Sequence, residues 1–222
     1  MMVNTDRIIA ASRDYLYLKR RGYSIRSVLN IVGDRFQLNN QERNVLYRGF
    51  FTKKEVKGRK SKVIEENGLR GKGLKVDGYN QLITMESYRK GSFVFISTDG
   101  IVRDTASIYR SYKLSDITEE VLIKLFKNID SLYLEEIIFY FDEPVSFSGR
   151  LCDIVNRFID DYGLSGGAEA VKSPDYILKN ADLVATSDSI VMGEAGGVFD
   201  LAGWLIKRVW RPELLDFRYL MK

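Results

Sequence analysis

Apolar residues recur with helical spacing along the first fifty positions. Ile8, Ala11, Tyr15 and Leu18 fall on one side of residues 4–21, a segment that Asn4 or Thr5 can cap and Gly22 ends. Ser24 can cap a second helix carrying Ile25, Val28, Leu29 and Val32, closed by Gly33. Asn39, with Glu42 three residues later, has the form of a capping box and opens a third helix running through Leu46. Two short helices around a turn also fit a helix-turn-helix, but packing of the helices on one another is the better reading of so common a pattern.

Residues 52–73 break the periodicity. Lys53, Lys54, Lys57, Arg59, Lys60 and Lys62 precede Gly68, Gly71 and Gly73, the composition of a basic, flexible linker. Gly68-Leu69-Arg70-Gly71-Lys72-Gly73 lacks the spacing and the Ser/Thr of a phosphate-binding P-loop. From residue 74 onward, short apolar runs alternate with longer amphipathic stretches. The runs at 74–76, 93–96, 137–141, 183–186 and 198–199 lead to Asp77, Asp99, Asp142, Asp188 and Asp200. Helical patterns cover about 116–130 (Val121, Leu122, Leu125, Phe126, Ile129) and 149–162 (Leu151, Ile154, Val155, Phe158, Ile159). Apolar strands alternating with amphipathic helices predict an α/β fold, a parallel sheet flanked by helices. The expected organisation is a basic helical domain at 1–51, a linker at 52–73 and an α/β domain at 74–222.

Charge divides along the same boundary. Residues 1–75 hold 18 Lys/Arg against 7 Asp/Glu, and the remainder holds 16 against 23, so the halves carry +11 and −7 within a net +4. A basic segment joined to an acidic one suggests that one part attracts a polyanion and the other holds cations, although a solvated helical face gives the same excess. The 222 residues contain no His and one Cys, Cys152. This excludes an intrachain disulfide, a Cys/His zinc site and hydrolases that depend on a His base. Carboxylates holding a hard cation are the natural substitute. The chain shows no apolar run of about 20 residues and no signal-peptide pattern, so a cytoplasmic protein without a membrane partner is expected.

In an open parallel sheet the carboxyl ends of the strands share one edge, where ligands bind. Asp77, Asp142 and Asp188 can converge there although they lie far apart in sequence. In Ser173-Pro174-Asp175, Ser173 caps and Pro174 starts a short helix that brings Asp175 to the same edge. Singly, each acid has an ordinary explanation. Asp188 can cap the next helix, Asp175 can serve a helix dipole, Asp99 precedes Gly100 in a turn, Glu86 can be solvated, and Asp104 can pair with Arg103 or Arg110. Asp77 is different. Val76-Asp77-Gly78-Tyr79-Asn80 puts a carboxylate, a glycine allowing close approach and an amide at the end of a central strand.

These residues resemble NYN-type PIN-like nuclease domains over roughly 74–203. Val76-Asp77-Gly78-Tyr79-Asn80 is similar to their opening motif, Phe139-Tyr140-Phe141-Asp142 to a middle strand, Ser173-Pro174-Asp175 to their acidic helix start, and Thr186-Ser187-Asp188 to their Ser/Thr-x-Asp strand end. The resemblance implies a PIN-like sheet and Mg²⁺ or Mn²⁺ held by Asp77, Asp142, Asp175 and Asp188, with Asn80 and Ser187 as supporting or phosphate contacts. Many such domains carry an acid two residues after the Asp188 position, where this chain has Ile190; Glu86 or Asp99 is the candidate to complete the shell. The whole chain also resembles a mainly archaeal family of unknown function that joins a basic helical domain to this acidic one. The residues carrying that likeness include Val32 to Phe36, Glu42-Arg43, Arg48, Ile83-Thr84, Glu86-Ser87, Asp99-Gly100, Ser148-Gly149-Arg150 and Thr186-Ser187-Asp188.

The function implied is metal-dependent hydrolysis of RNA, with Arg35, Arg43, Arg48 and Arg150 gripping the backbone; Tyr23, Phe36 and Tyr47 are available for base stacking, although core packing is the better reading for at least two of them. The alternatives are a non-catalytic RNA-binding adaptor and a phosphatase-like enzyme, the latter disfavoured by the lack of an Asp-x-Asp motif after a strand. The stretch Trp204 to Lys222 either packs on the N-terminal helices or forms a homodimer contact.

Overall fold

The computed structural model describes residues 3–106, 112–145 and 147–220. Four helices open the chain: α1 (Thr5–Arg20), α2 (Ile25–Arg35), α3 (Asn40–Gly49) and α4 (Lys53–Lys60). Their N-termini are set by the residues that the local pattern predicts. Asn4 and Ser24 accept from backbone N–H groups of the first turns of α1 and α2, and Asn39 and Glu42 form a reciprocal capping box on α3. Glu42, fully buried, also accepts from the Asn4 backbone N–H at 3.1 Å, which ties the starts of α1 and α3 together.

Gly33 does not close α2, which runs on to Arg35. It makes room instead. A Cβ there would lie 2.2 Å from the Arg43 guanidinium, whose nitrogens donate to the Leu29 and Leu38 carbonyls and to Asp34. The expected linker is also structured. Thr52 and Glu55 form a second capping box on α4, and residues 62–64 run beside Val198 with backbone hydrogen bonds in both directions.

The rest of the chain follows the order β1 (Gly73–Asp77), α5 (Gly78–Arg89), β2 (Val94–Ile96), β3 (Val102–Asp104), α6 (Asp116–Ile129), β4 (Glu136–Asp142), α7 (Ser148–Asp161), β5 (Gly166–Val171), α8 (Pro174–Lys179), β6 (Leu183–Ala185), α9 (Ser189–Glu194), β7 (Gly197–Phe199), α10 (Leu201–Val209), β8 (Leu215–Asp216) and α11 (Phe217–Leu220). Five strands form a wholly parallel sheet in the order β5-β4-β1-β6-β7. Alternation along β4 shows why both faces are covered. Ile137, Phe139 and Phe141 enter the core under α5, α6, α7 and α10, whereas Ile138 and Tyr140 face the cluster around Leu178, Val191 and Met192 of α8 and α9.

One strand departs from expectation. The apolar run at 93–96 does not join the parallel sheet. It forms β2 of a separate three-stranded sheet, antiparallel to β3 and parallel to β8. The C-terminal stretch packs inward: Phe217 packs against Phe50, just past α3, and edge-on against Phe95 of β2, inside the N-terminal helical core. Among the described residues no helix is long and apolar enough to cross a membrane.

Candidate active site

The sheet order reverses at β1. The chain leaves β1 for β4 on one side and later returns to β6 on the other, so the carboxyl ends of β1 and β6 lie at the point where the strand order reverses. Asp77 ends β1, Asp142 ends β4, Asp175 lies in the first turn of α8 and Asp188 caps α9. All four line one cleft of about 430 Å³ with Arg48, Asn80, Ile83, Ala106, Lys172, Ser173 and Pro174.

Hydrogen bonds hold the cleft floor. The Thr186 hydroxyl donates to Asp77 Oδ2 at 2.8 Å and accepts from the Asp188 backbone N–H at 3.0 Å. Asn80 Oδ1 accepts from the Ser187 N–H at 2.8 Å and the Ser187 hydroxyl at 3.0 Å, pinning the 186–188 loop to the first turn of α5. Arg103 Nε donates to the Ser187 carbonyl from the other side. Asp188 Oδ1 accepts from the Ile190 and Val191 N–H groups, so the cap expected of it is present. Gly78 lets the start of α5 sit against Phe141; a Cβ there would be 2.3 Å from the ring.

Burial pushes the Asp77 carboxyl up to about 7, the nearby Asp188 and Asp175 carboxylates add to the rise, and the Thr186 hydroxyl opposes it. Asp175 is raised for the same reasons, burial first and Asp188 second. Neighbouring carboxylates thus add to the cost of ionising Asp77 and Asp175, the electrostatic mark of a place where positive charge would be stabilising. Among the described residues, no three acidic side chains form a ready-made metal-binding group. The donor set is nonetheless oxygen-only and open. That suits Mg²⁺, which typically uses one or two carboxylates and fills its other positions with water and substrate phosphate.

The family described as a domain of unknown function (DUF5616) matches residues 66–204. The chain belongs to the DUF5616 family. Residues 7–62 match a second family, described as a protein of unknown function (DUF434). The chain is similar to a protein of Methanocaldococcus jannaschii named uncharacterized protein MJ0935, at 33% identity over 182 residues, covering 82% of this chain and 87% of that protein. No solved structure matches it.

All four cleft carboxylates lie in the DUF5616 segment, whereas Arg48 enters from the DUF434 segment. The other expected residues are elsewhere. Glu86 is fully buried and accepts from Tyr112, Thr118 and Lys90, so it locks α5 to the start of α6. Asp99 is buried with Arg103 and Arg59 at 2.6 and 3.1 Å, and these cations hold its carboxyl down at about 2 despite burial. Neither completes the acid shell. Arg43 is engaged within α2 and α3, Arg35 pairs with Asp14 on the surface, and Arg150 lies in a groove between α6 and α7. Asp104 pairs with Arg48 rather than Arg103, and Arg110 lies outside the described residues. Lys172, in the turn after β5, is the charged cleft residue that pattern reading overlooked; it follows an edge strand whose small residues, Gly166-Gly167-Ala168-Glu169-Ala170-Val171, do not stand out as an apolar run.

Proposed function

We propose that this protein is a divalent-metal-dependent nuclease that hydrolyses RNA phosphodiester bonds. The observation supporting this most is the meeting of Asp77, Asp142, Asp175 and Asp188 in one cleft at the sheet's reversal point, with Asp77 buried and raised to about 7. Polar strand ends at such a point are where α/β folds hold ligands. The resemblance of the Asp77, Asp142, Asp175 and Asp188 segments to NYN-type PIN-like nucleases supplies the reaction class, and with it RNA as substrate.

Asp77 and Asp188 are the residues that would anchor Mg²⁺ or Mn²⁺, with Asp142 and Asp175 beside them. The chemistry such a cation supplies is acidification of water and neutralisation of charge at a phosphodiester. The chain's own groups do the rest. Thr186 orients the Asp77 carboxylate, Asn80 fixes the loop carrying Asp188, and Arg48 and Lys172 place positive charge at the cleft wall. Basic residues of the helical segment would draw in the polyanion, with affinity falling steeply as salt rises.

A second reading, a non-catalytic RNA-binding adaptor, is favoured by one observation, the lack of a preformed three-acid group among the described residues. The two separate in one experiment. Mn²⁺ is titrated while the melting temperature is followed, and labelled RNA is incubated with Mn²⁺ or with chelator. The nuclease reading expects a rise in Tm and chelator-sensitive cleavage. RNA that is bound but left intact supports the adaptor.

A further inference from the structure

The family boundaries divide the chain between residues 62 and 66, but the cleft does not respect them. One face of α3 presents Gln41, Asn44 and Arg48, at the three- and four-residue spacings that align side chains on a helix. Gln41 donates to the Thr105 hydroxyl at 3.1 Å and Asn44 to the Thr105 carbonyl at 3.2 Å. Arg48 Nη1 donates to the Asp104 carboxylate and to its carbonyl, both at 3.1 Å, and to the Ala106 carbonyl at 3.4 Å. Asp104 is fully buried and is itself held by the Thr84 hydroxyl at 2.8 Å.

Only one guanidinium nitrogen of Arg48 is used in this anchor. Nε and Nη2 have no hydrogen-bond partner among the described residues, and the side chain, a quarter of its surface exposed, is one of those lining the acid cleft. An arginine held by one nitrogen, with the rest of its fork open, is preorganised for a tetrahedral oxyanion. A pocket with four carboxylates in its wall repels phosphate unless fixed positive charge faces it, and Lys172 lies on the same cleft.

We propose that the cleft is a composite site in which Arg48, delivered by the 7–62 segment, is the phosphate ligand that seats a phosphodiester over the acids of the 66–204 segment. The proposal deepens the nuclease reading and rests on it for the reaction. It makes the helical segment part of the site rather than a tether that concentrates RNA.

The test compares wild type, Arg48→Gln, Arg48→Lys and, as an equal charge change at an exposed residue of α7 that does not line the cleft, Arg157→Gln. Each is assayed for kcat and KM on a labelled RNA oligonucleotide with Mn²⁺, for the Mn²⁺-induced rise in Tm, and for oligonucleotide affinity in chelator. Arg48→Gln is expected to lose about 100-fold in kcat with its Mn²⁺-induced Tm rise intact, while Arg157→Gln behaves as wild type. Because Arg48 also ties α3 to β3, Arg48→Lys carries the test if Arg48→Gln does not fold. It keeps the charge but not the fork, and about a tenfold loss in kcat is expected. A kcat within twofold of wild type in either folded variant overturns the proposal, as does a loss accompanied by loss of the Mn²⁺-induced Tm rise. A wild type that never cleaves RNA sinks the nuclease reading instead. The subsite is then judged by affinity in chelator, where about tenfold weaker binding by a folded Arg48 variant than by Arg157→Gln supports it and equal affinity overturns it.

Discussion

Asp77 and Asp99 are the same residue type, both buried after short apolar strands, and they are driven in opposite directions. Asp99 stands among cations: Arg103, Arg59 and the Ser97 hydroxyl hold it ionised, at about 2. Both guanidiniums also lie against the Phe51 ring, 4.0 and 4.9 Å from its centroid, so the pair cements α4 to the β2–β3 turn. Asp77 accepts from the Thr186 hydroxyl and the Asn80 backbone N–H but has two neighbouring carboxylates and no such pair of cations, and burial with those carboxylates pushes it up to about 7. Burial is common to both, so the neighbours decide the sign. A buried acid ringed by cations is a structural joint, and one beside other carboxylates at the mouth of a sheet is where positive charge would be stabilising.

Four measurements would break or sharpen that contrast. The largest effect is expected from Asp77→Asn, which should lower RNA cleavage at least about 1000-fold, whereas Asp99→Asn should affect activity through stability alone. Next, Asp99→Asn should cost about 3–5 kcal/mol in denaturant unfolding, because it leaves Arg103 and Arg59 buried with one partner weakened. Equal unfolding midpoints for wild type and Asp99→Asn would remove the structural half of the comparison.

The third measurement is pH. The folded chain keeps a proton on Asp77 from about 4 to about 7, a range in which the unfolded chain has released it. Metal-free protein should therefore lose stability as pH rises through that window, by up to roughly 4 kcal/mol. Asp77→Asn or excess Mn²⁺ should flatten the curve. Asp99 acts in reverse: its contribution is present above about 4 and is lost as pH falls towards 2. A stability profile that is flat between pH 4 and 7 in wild type would contradict the Asp77 assignment. The smallest effect is expected from Gly78→Ala, where the new methyl meets Phe141 at the cleft floor; a loss of about 1–3 kcal/mol in Tm-derived stability is predicted, with cleavage falling in parallel. A neutral outcome would mean that the floor yields more readily than its packing indicates.

Local chemistry was legible in the sequence because its partners lie within a few residues. The caps at Asn4, Ser24 and Asn39 and the amphipathic stripes of α1, α6 and α7 depend on hydrogen bonds and spacings inside one turn or one helix. Apolar runs ending in Asp77, Asp142 and Asp188 also marked three strands of one sheet and placed the acids at its rim, since a covered parallel strand must be apolar throughout. Edge strand β5, Gly166–Val171, escaped notice because its side chains are mostly exposed and little apolar character is needed there.

What the linear pattern could not settle was partnership between distant segments. An apolar run announces a strand but not which sheet accepts it, and so β2 carried Asp99 away from the cleft. A basic residue announces charge but not its counter-charge. Arg43 turned inward to Leu29, Leu38 and Asp34, Arg59 found Asp99 forty residues on, and Arg48 reached across a family boundary to Asp104 and the wall of the acid cleft. Backbone propensity and spacing act over a few residues and are written locally; the sign of a buried charge's environment depends on which remote side chains the fold delivers to it, and only the tertiary structure decides that.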